Sequence, residues 1–404
     1  MSVPGASNVL QGTAYGRPRA HANDLLTRVG PGTPCGEFMR RYWQPVLTSE
    51  NVTNRPKEVR ILGEDLIAFR DKAGRPGLLY PRCMHRGTTL FYGRVEERGI
   101  RCCYHGWLFD VEGNCLEQPC EPGGGTELGK RAARQPWYPV AERYGIVWAY
   151  MGPPDKMPVM RRFDVFEDLE PQETLWVNDE SLASTGDYGT PVVDHSWLHM
   201  NDNIMDPFHL QVLHTTHSVT HFAPEFALMP KVEFSSTDQG VIYSARRQLD
   251  DGREVDRIST YILPSFMFVP NNRLEDTSAN KEFACGVTVP VDDTHCRTFS
   301  IFRTRNPENC ARPLRVDGKS WSEMTENERQ AFPGDYEAQG GQGPISLHSE
   351  EHLATSDRGI ALQRRLLERE IRRVMNGEDP AGVGFDERDA LLKIPSGNFY
   401  RAPR

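Results

Sequence analysis

Two short segments of this chain each bring a cysteine and a histidine close together. The first is Cys83-Met-His85, and the second, after an interval of sixteen residues, is Cys102-Cys-Tyr-His105-Gly-Trp. A strand-like run precedes each pair and a glycine follows it. Two loops that each supply one thiolate and one imidazole form a donor set for metal, and this spacing constrains the fold more than any other feature of the sequence.

The four donors Cys83, His85, Cys102 and His105 fit a binuclear iron–sulfur cluster of the Rieske type, in which two thiolates bind one iron and two imidazoles the other. A tetrahedral zinc site would accept the same residues, although zinc ribbons more often use a C-x2-C pair on each loop. The nine cysteines are an odd number, and the start Met1-Ser-Val-Pro-Gly lacks the pattern of a signal peptide. We therefore predict thiolate chemistry rather than a disulfide framework.

A second group of polar residues surrounds a predicted helix start. Asp206 followed by Pro207 is typical of an N-cap aspartate with proline in the first helical position. His209 and His214 lie five residues apart, which separates them by about 140° on a regular helix. The two can share a metal only if a π-type distortion or a helix end intervenes.

Two imidazoles and one carboxylate on one face of a metal form the non-heme Fe(II) arrangement, which leaves positions open for O₂. Six histidines fall within 27 residues of this chain: His195, His199, His209, His214, His217 and His221. The frame Asn203-x-x-Asp206-x-x-His209-x₄-His214 distinguishes two of them as candidate ligands.

The 404 residues leave room for two or three domains of about 150 residues each. We predict an N-terminal arm over 1–25 that is loose or lies draped on the rest of the chain, an all-β module over 26–152 and a larger domain over 153–404, with the proline-rich 152–158 segment as the boundary. Within the larger domain, a strand-rich block spans 229–305 and long loops span 307–344. Ser356 or Asp357 can cap a helix, Ile360, Leu367, Ile371 and Val374 mark its apolar stripe, and Gly377 can end it.

Composition and charge exclude several classes of function. The net charge of −9 is spread along the chain, so no nucleic-acid footprint stands out. The longest nearly apolar run, 144–152, is far shorter than the roughly 20 residues of a membrane span, and we expect a cytoplasmic protein without a membrane or nucleic-acid partner. No G-x-G-x-x-G follows a strand, so NAD(P)H is expected to act only through a separate reductase.

Together, the two motifs resemble the terminal oxygenase (alpha) subunits of Rieske non-heme iron oxygenases. Residues 28–45, and Gly343-Pro-Ile345 with Glu351-His-Leu-Ala-Thr-Ser-Asp357, are similar to the phthalate-dioxygenase-like branch, which includes dioxygenases, hydroxylases and O-demethylases of aromatic acids. The resemblance implies an α+β chain. Its N-terminal all-β Rieske [2Fe-2S] domain is followed by an α/β catalytic domain in which helices flank an antiparallel sheet in a helix-grip-like arrangement.

The resemblance also implies roles for further residues. It nominates Asp335, eight residues before Gly343, as the third ligand of a mononuclear Fe(II), with Glu337 as the competing carboxylate. It places Asn203 beside the iron. Asp206 would hydrogen-bond His209 and carry electrons from His105 of a neighbouring subunit, within a homotrimer or hexamer.

The implied activity uses O₂ and electrons from a reductase, itself carrying flavin and an iron–sulfur centre, with or without a ferredoxin. We expect O-demethylation or hydroxylation of an aromatic carboxylic acid, with cis-dihydroxylation as the second possibility. A Rieske electron carrier without oxygenase activity and a zinc-binding interaction module are two further classes of protein that fit the motifs. Arg246, Arg247 or Arg257 could reach a substrate carboxylate, and Phe266 and Phe268 could wall a pocket, but surface and core roles are the simpler interpretation for each.

Overall fold

The structure, a computed structural model, describes Ala14 and residues 18–179, 192–218, 222–278, 282–310, 316–319 and 323–401. Most of the predicted arm, together with His221, lies outside this range. The last arm residues lie against the C-terminal half of the chain, since the His21 amide donates to Ser349 Oγ at 2.9 Å and the Asn23 amide to His348 Nδ1 at 3.1 Å.

The N-terminal module consists of three small antiparallel sheets. Short hairpins connect most of the neighbouring strands within these sheets, as the alternation of strand-like runs and glycines predicts. The first sheet has the order β1-β10-β9, the second β2-β3-β4 and the third β5-β6-β7-β8. The strands are β1 Trp43–Thr48, β2 Lys57–Ile61, β3 Glu64–Arg70, β4 Pro76–Leu79, β5 Arg94–Glu96, β6 Gly99–Arg101, β7 Leu108–Phe109, β8 Cys115–Glu117, β9 Val140–Arg143 and β10 Ile146–Tyr150.

The second half of the chain contains an eight-stranded antiparallel sheet. Its order is β12-β18-β17-β16-β15-β14-β13, and β20 pairs with β15, while β11 and β19 form a separate parallel pair. The strands are β11 Arg162–Phe163, β12 Thr174–Asn178, β13 Lys231–Ser236, β14 Gly240–Gln248, β15 Glu254–Ile262, β16 Phe266–Pro270, β17 Phe283–Pro290, β18 Cys296–Thr304, β19 Leu391–Leu392 and β20 Gly397–Arg401. The predicted antiparallel sheet is thus confirmed.

Short helices and one long helix accompany the sheets. They are α1 Asp24–Thr27, α2 Pro34–Arg40, α3 Glu127–Ala132, α4 Asp164–Glu167, α5 Trp197–Ile204, α6 His209–Val212, α7 Pro307–Cys310, α8 Glu326–Ala331, α9 Asp335–Gly340 and α10 Arg358–Met375. Three of them, α7 to α9, correct the prediction of long loops over 307–344. Among the described helices, none combines the length and apolar character needed to cross a membrane.

The long helix α10 follows its predicted pattern. Ile360, Leu367 and Ile371 are buried and Val374 is partly buried, because a 3.6-residue period places them on one face of the helix. Gly377, with a φ of +83°, takes the left-handed conformation that commonly ends a helix. The helix packs on α2 and β14, and so covers one face of the large sheet.

One hydrophobic core connects the two halves of the molecule. It runs from Leu26 and Phe38 through the β1-β10 pair to the large sheet, where Trp148 stacks on Phe266 with 6.0 Å between ring centroids. The amide of Leu62 donates to the carbonyl of Pro290 at 2.9 Å, across the same junction. The cysteine and histidine loops have a smaller core of their own, which contains Cys83, Cys102 and Trp107 among other residues.

Candidate metal centres

The first candidate centre lies at the tips of two similar loops. The Cys83 amide donates to the Thr88 carbonyl at 2.9 Å, and the Cys102 amide donates to the Trp107 carbonyl at the same distance. Gly87 and Gly106 have φ of +77° and +75°, a conformation that glycine adopts readily, so each loop can turn sharply just after its histidine. The positive φ at these two positions therefore explains why a glycine follows each cysteine–histidine pair in the sequence.

The four predicted donors converge at these tips. The thiols of Cys83 and Cys102 are buried and interact with each other, and burial raises the pKa of Cys83 to about 12. The half-buried rings of His85 and His105 lie edge to face, 4.5 Å apart. Nδ1 of His105 is buried without a partner among the described residues. Two inner sulfurs, two outer imidazoles and one unsatisfied ring nitrogen fit a [2Fe-2S] cluster of the Rieske type.

Two residues support the loops in roles that sequence reasoning did not assign, Trp107 within the second motif and the distant Gln135. The ring of Trp107 stacks on His85 at 4.4 Å and 5°, which fixes the plane of the imidazole. Gln135 is fully buried. It accepts from the Met84 amide at 3.0 Å and donates to the carbonyls of Tyr80 and Arg82 at 2.7 and 2.9 Å. A lone glutamine about fifty residues away carries no sequence signal of this role.

The second candidate centre contains His209, His214 and Asp335. One ligand atom from each lies within 4.8 Å of the others. Nε2 of His209 is 3.7 Å from Asp335 Oδ1, and Nε2 of His214 is 3.3 Å from Asp335 Oδ2. Two imidazoles with one carboxylate on one side of this point leave other directions open, as in the two-histidine facial triads that bind Fe(II).

A π-helical turn explains how two histidines five residues apart come together. Helix α6 runs on into a π-helix over Leu213–His217, and the rings of His209 and His214 lie 5.3 Å apart. The predicted distortion is therefore confirmed. The predicted helix start is wrong by two residues, because α6 begins at His209 and not at Pro207. Asp206 still acts at this end, since its Oδ1 accepts from the His209 amide at 3.3 Å.

Asn203 and Asp206 contact two of the candidate ligands. Nδ2 of Asn203 donates to Asp335 Oδ1 at 3.0 Å. Nδ1 of His209 lies 2.6 Å from the backbone carbonyl of Asp206, whereas the Asp206 carboxylate is 3.8 Å from the same nitrogen. The main chain of Asp206, and not its side chain, thus makes the close contact and leaves Nε2 of His209 facing Asp335.

The carboxylate at the centre comes from Asp335 and not from Glu337. Oε2 of Glu337 accepts from the Gly334 amide at 3.0 Å and so caps α9. Burial opposes ionisation of Asp335, but the nearby His214 and His209 and the Asn203 hydrogen bond hold its pKa well below its usual range. Asp335 is therefore a carboxylate at neutral pH.

The other described histidines of the cluster lie elsewhere. His195 and His199 are buried 5.2 Å apart, and Nε2 of His199 lies 3.0 Å from Ser346 Oγ. Sequence reasoning missed Phe222, whose ring stacks on His214 at 4.5 Å. It lies just beyond the π-helix and has no spacing that would identify it.

Comparisons with known proteins agree with both centres. Residues 42–134 match the Rieske [2Fe-2S] domain family. The chain is 56% identical to the phenoxybenzoate dioxygenase subunit alpha of Ectopseudomonas oleovorans, over 96% of this chain and 94% of that one. It is 33% identical to the 5,5'-dehydrodivanillate O-demethylase oxygenase subunit of a Sphingobium strain, over 90% and 83% of the two chains.

The fold is similar to that of a solved oxygenase. The crystal structure of dicamba monooxygenase bound to dicamba superposes with a TM-score of 0.60 at 16% identity, over 85% of this chain and all of the other. The structural similarity shows the fold alone, whereas the sequence identities over nearly the whole length show the family. This chain belongs to the Rieske non-heme iron oxygenases, as a terminal oxygenase (alpha) subunit with a Rieske cluster and a mononuclear iron.

Proposed function

We propose that Cys83, His85, Cys102 and His105 hold the [2Fe-2S] cluster, and that His209, His214 and Asp335 hold the mononuclear iron. The convergence of these last three residues on one point carries the proposal. When bound, the cluster supplies electrons singly and the Fe(II) centre activates O₂. The chain contributes a buried carboxylate and two imidazoles that would bind the iron, and the amide of Asn203, which holds the carboxylate in place.

We further propose that the substrate is an aromatic carboxylic acid with an aryl ether bond. The names of two relatives share this chemistry, because a phenoxybenzoate is a diaryl ether acid and an O-demethylase acts on a methyl aryl ether. In O-demethylation one oxygen atom of O₂ enters the methyl C–H bond. The other leaves as water after two electrons and two protons arrive, and the hydroxymethyl ether then breaks into a phenol and formaldehyde.

Ring dioxygenation is the second candidate, favoured by the 56% identity to a dioxygenase subunit. Both oxygen atoms then enter the ring, and the same two electrons and two protons complete a cis-diol. A carboxylate on the substrate would serve either reaction, since it orients the ring without taking part in the bond changes.

As an oxygenase component the chain works with a reductase that supplies electrons. We propose a head-to-tail trimer, or a hexamer of two trimers, in which the cluster of one subunit serves the iron of the next and Asp206 lies between them. The exposed side chains at both candidate centres support this assembly. Met84 and Tyr104, at the cluster tips, are 46% and 55% exposed, and the Asp206 side chain is 27% exposed beside the iron site. Exposed apolar side chains on adjoining loop tips, such as Met84 and Tyr104, can form a patch of the kind that marks an interaction site.

The deciding experiment supplies the purified protein with a reductase, NADH and ¹⁸O₂, and compares a methoxybenzoate, a phenoxybenzoate and benzoate. Formaldehyde from the methoxy acid, with one labelled oxygen atom in water, supports O-demethylation. A doubly labelled cis-diol, or the phenol released from it, supports dioxygenation. Oxidation of none of the acids, in a preparation with about three irons per chain, would contradict the proposed substrate class.

A further inference from the structure

The guanidinium of Arg247 is buried without a counter-ion among the described residues. The residue is 1% exposed, and its Nε donates to the Leu228 carbonyl at 3.2 Å. Its two terminal nitrogens are buried and have no hydrogen-bond partner in the described part of the chain. A charged group in this state is costly, because removal from water is compensated only by an opposite charge and by hydrogen bonds.

Other buried arginines have acceptors for their terminal nitrogens. Arg303 pairs with Glu173 and Asp168, and Arg40 pairs with Glu64 at 2.8 Å. Arg257 has no carboxylate partner in the ranges that the structure describes, but its terminal nitrogens donate to the carbonyls of Asn271 and Pro270 at 2.7 and 2.8 Å. The unsatisfied terminal nitrogens of Arg247 are therefore a local feature, and not a general property of buried arginines in this fold.

A second guanidinium strengthens the positive potential at this point. The register pairs Arg247 with Val255 and Ala245 with Arg257, so both arginines project from the same face of the β14-β15 pair. Both also lie over the ring of Phe226, at 4.9 and 5.2 Å from its centroid. Burial and the neighbouring Arg257 lower the pKa of Arg247 to about 10, so the group still carries its charge at neutral pH.

A row of aromatic rings connects this charge to the candidate iron site. Phe226 meets Phe222 edge to face at 5.1 Å, and Phe222 stacks on His214 at 4.5 Å. The guanidinium therefore lies three ring contacts, each of about 5 Å, from a proposed iron ligand. The hydroxyl of Ser259, on the same face as Arg257, is also buried without a described partner.

We propose that Arg247 binds the carboxylate of the aromatic substrate through its two terminal nitrogens, with the substrate rings lying along Phe226 and Phe222 toward the iron. This inference rests on the proposed oxidation of an aromatic acid. A guanidinium with two free parallel N–H groups matches the geometry of a carboxylate, and Arg257 adds positive charge beside it. Arg247 is thus a residue that binds and positions the substrate, and it makes the protein selective for aromatic acids.

The test compares Arg247→Gln with Arg246→Gln in the complete, iron-loaded protein. Arg246 is a matched control, because it is the adjacent residue on the opposite face of β14 and pairs with Glu233 at 2.7 Å. Binding of a phenoxybenzoate and of its neutral amide is measured by calorimetry without reductase, so that no turnover is needed. We expect Arg247→Gln to weaken binding of the acid roughly 10- to 100-fold and binding of the amide much less. Arg246→Gln should change neither.

Thermal unfolding distinguishes this role from a structural one. Without ligand, Arg247→Gln should keep or raise the Tm, since it removes an uncompensated buried charge, but the rise in Tm that the acid gives the wild type should disappear. Arg247→Lys keeps the charge and should retain part of the affinity. Equal affinity of wild type and Arg247→Gln for the acid, or equal losses of acid and amide, would overturn the proposal. If the wild type binds the acid through Arg247 but oxidises no aryl ether, only the proposed reaction fails.

Discussion

At the scale of single residues, each cysteine–histidine pair lies in one short loop and His209 and His214 lie on one turn, so spacing within the chain was enough to nominate them as candidate ligands. Asp335 was nominated by the resemblance alone, because it reaches the histidines only through the fold. Phe222, Gln135 and the lack of a described partner for the Arg247 terminal nitrogens depend on tertiary contacts, which spacing does not encode.

The choice between Asp335 and Glu337 as the third candidate ligand is testable by substitution. Asp335→Asn removes the charge that faces both imidazoles, so we expect loss of the mononuclear iron, about one of three irons per chain, and loss of oxygenation with an unchanged cluster spectrum. Glu337→Gln, the matched control, should keep the iron. Iron analysis and visible absorbance decide this. Full iron content in Asp335→Asn would contradict the proposed ligand set.

At the scale of elements, strands and the long helix were predictable because their periods are regular. The short helices over 307–344 were not, since four to six residues give no clear period. The late start of α6 has a different cause. The chain at 206–208 is bent so that the Asp206 carbonyl meets the His209 ring, and a local N-cap pattern does not anticipate this contact.

The contact between α10 and the end of α5 leaves no room for a side chain. A Cβ on Gly359 would lie 2.5 Å from the carbonyl oxygen of Met205 and would clash with the ring of Phe234. We therefore expect Gly359→Ala to lower the free energy of unfolding by about 1–3 kcal/mol, as overpacking does. Gly340→Ala, in open space on α9, should be neutral or slightly stabilising. Denaturant titration measures both, and equal stability of the two variants would contradict the close contact.

The third sheet of the N-terminal module contains an ion-pair network whose contribution to stability depends on pH. Glu96 accepts from Arg101 at 2.8 Å, and hydrogen bonds from Arg101 and Arg94, opposed by some burial, lower the pKa of Glu96 to about 2. A carboxylate with a depressed pKa stabilises the folded state above its unfolded pKa, near 4.5, and this contribution is lost as the pH falls toward 2.

Wild type should therefore exceed Glu96→Gln in stability by about 1 kcal/mol at pH 6 to 7, and the difference should shrink as the pH falls from about 4.5 toward about 2. Urea titrations of both proteins at several pH values provide the measurement. A difference that is the same at about pH 3 and about pH 7 would show that the Glu96 charge does not matter.

At the scale of the whole molecule, the two-part architecture followed from the two motifs about one hundred residues apart. Membership of the oxygenase family decides against the electron carrier and the zinc module. The domain boundary near residue 152 stays a prediction. The hydrophobic core is continuous across this boundary, because proline-rich composition marks a connection in the chain and not a gap in packing.

The proposed assembly predicts that specific activity depends on protein concentration. We expect a particle of three or six chains, and a fall in turnover per chain on dilution, since a dissociated subunit loses its electron donor. Met84→Asp at the cluster tip should weaken assembly, whereas Met375→Asp, 57% exposed at the end of α10, should not. Sedimentation and steady-state rates test this. A monomer with full, dilution-independent turnover would rule out the trimer.

The core that joins the two halves has a further consequence for electron delivery. Trp148 stacks on Phe266, and the Leu62 amide donates to the Pro290 carbonyl. These contacts hold the N-terminal module in a fixed position against the large sheet. In the proposed assembly, the distance between donor and acceptor is therefore set when the chain folds and assembles, and no diffusive search precedes each transfer. Electron transfer inside the assembly should therefore be insensitive to solvent viscosity, and only the encounter with the reductase should slow as glycerol or sucrose is added.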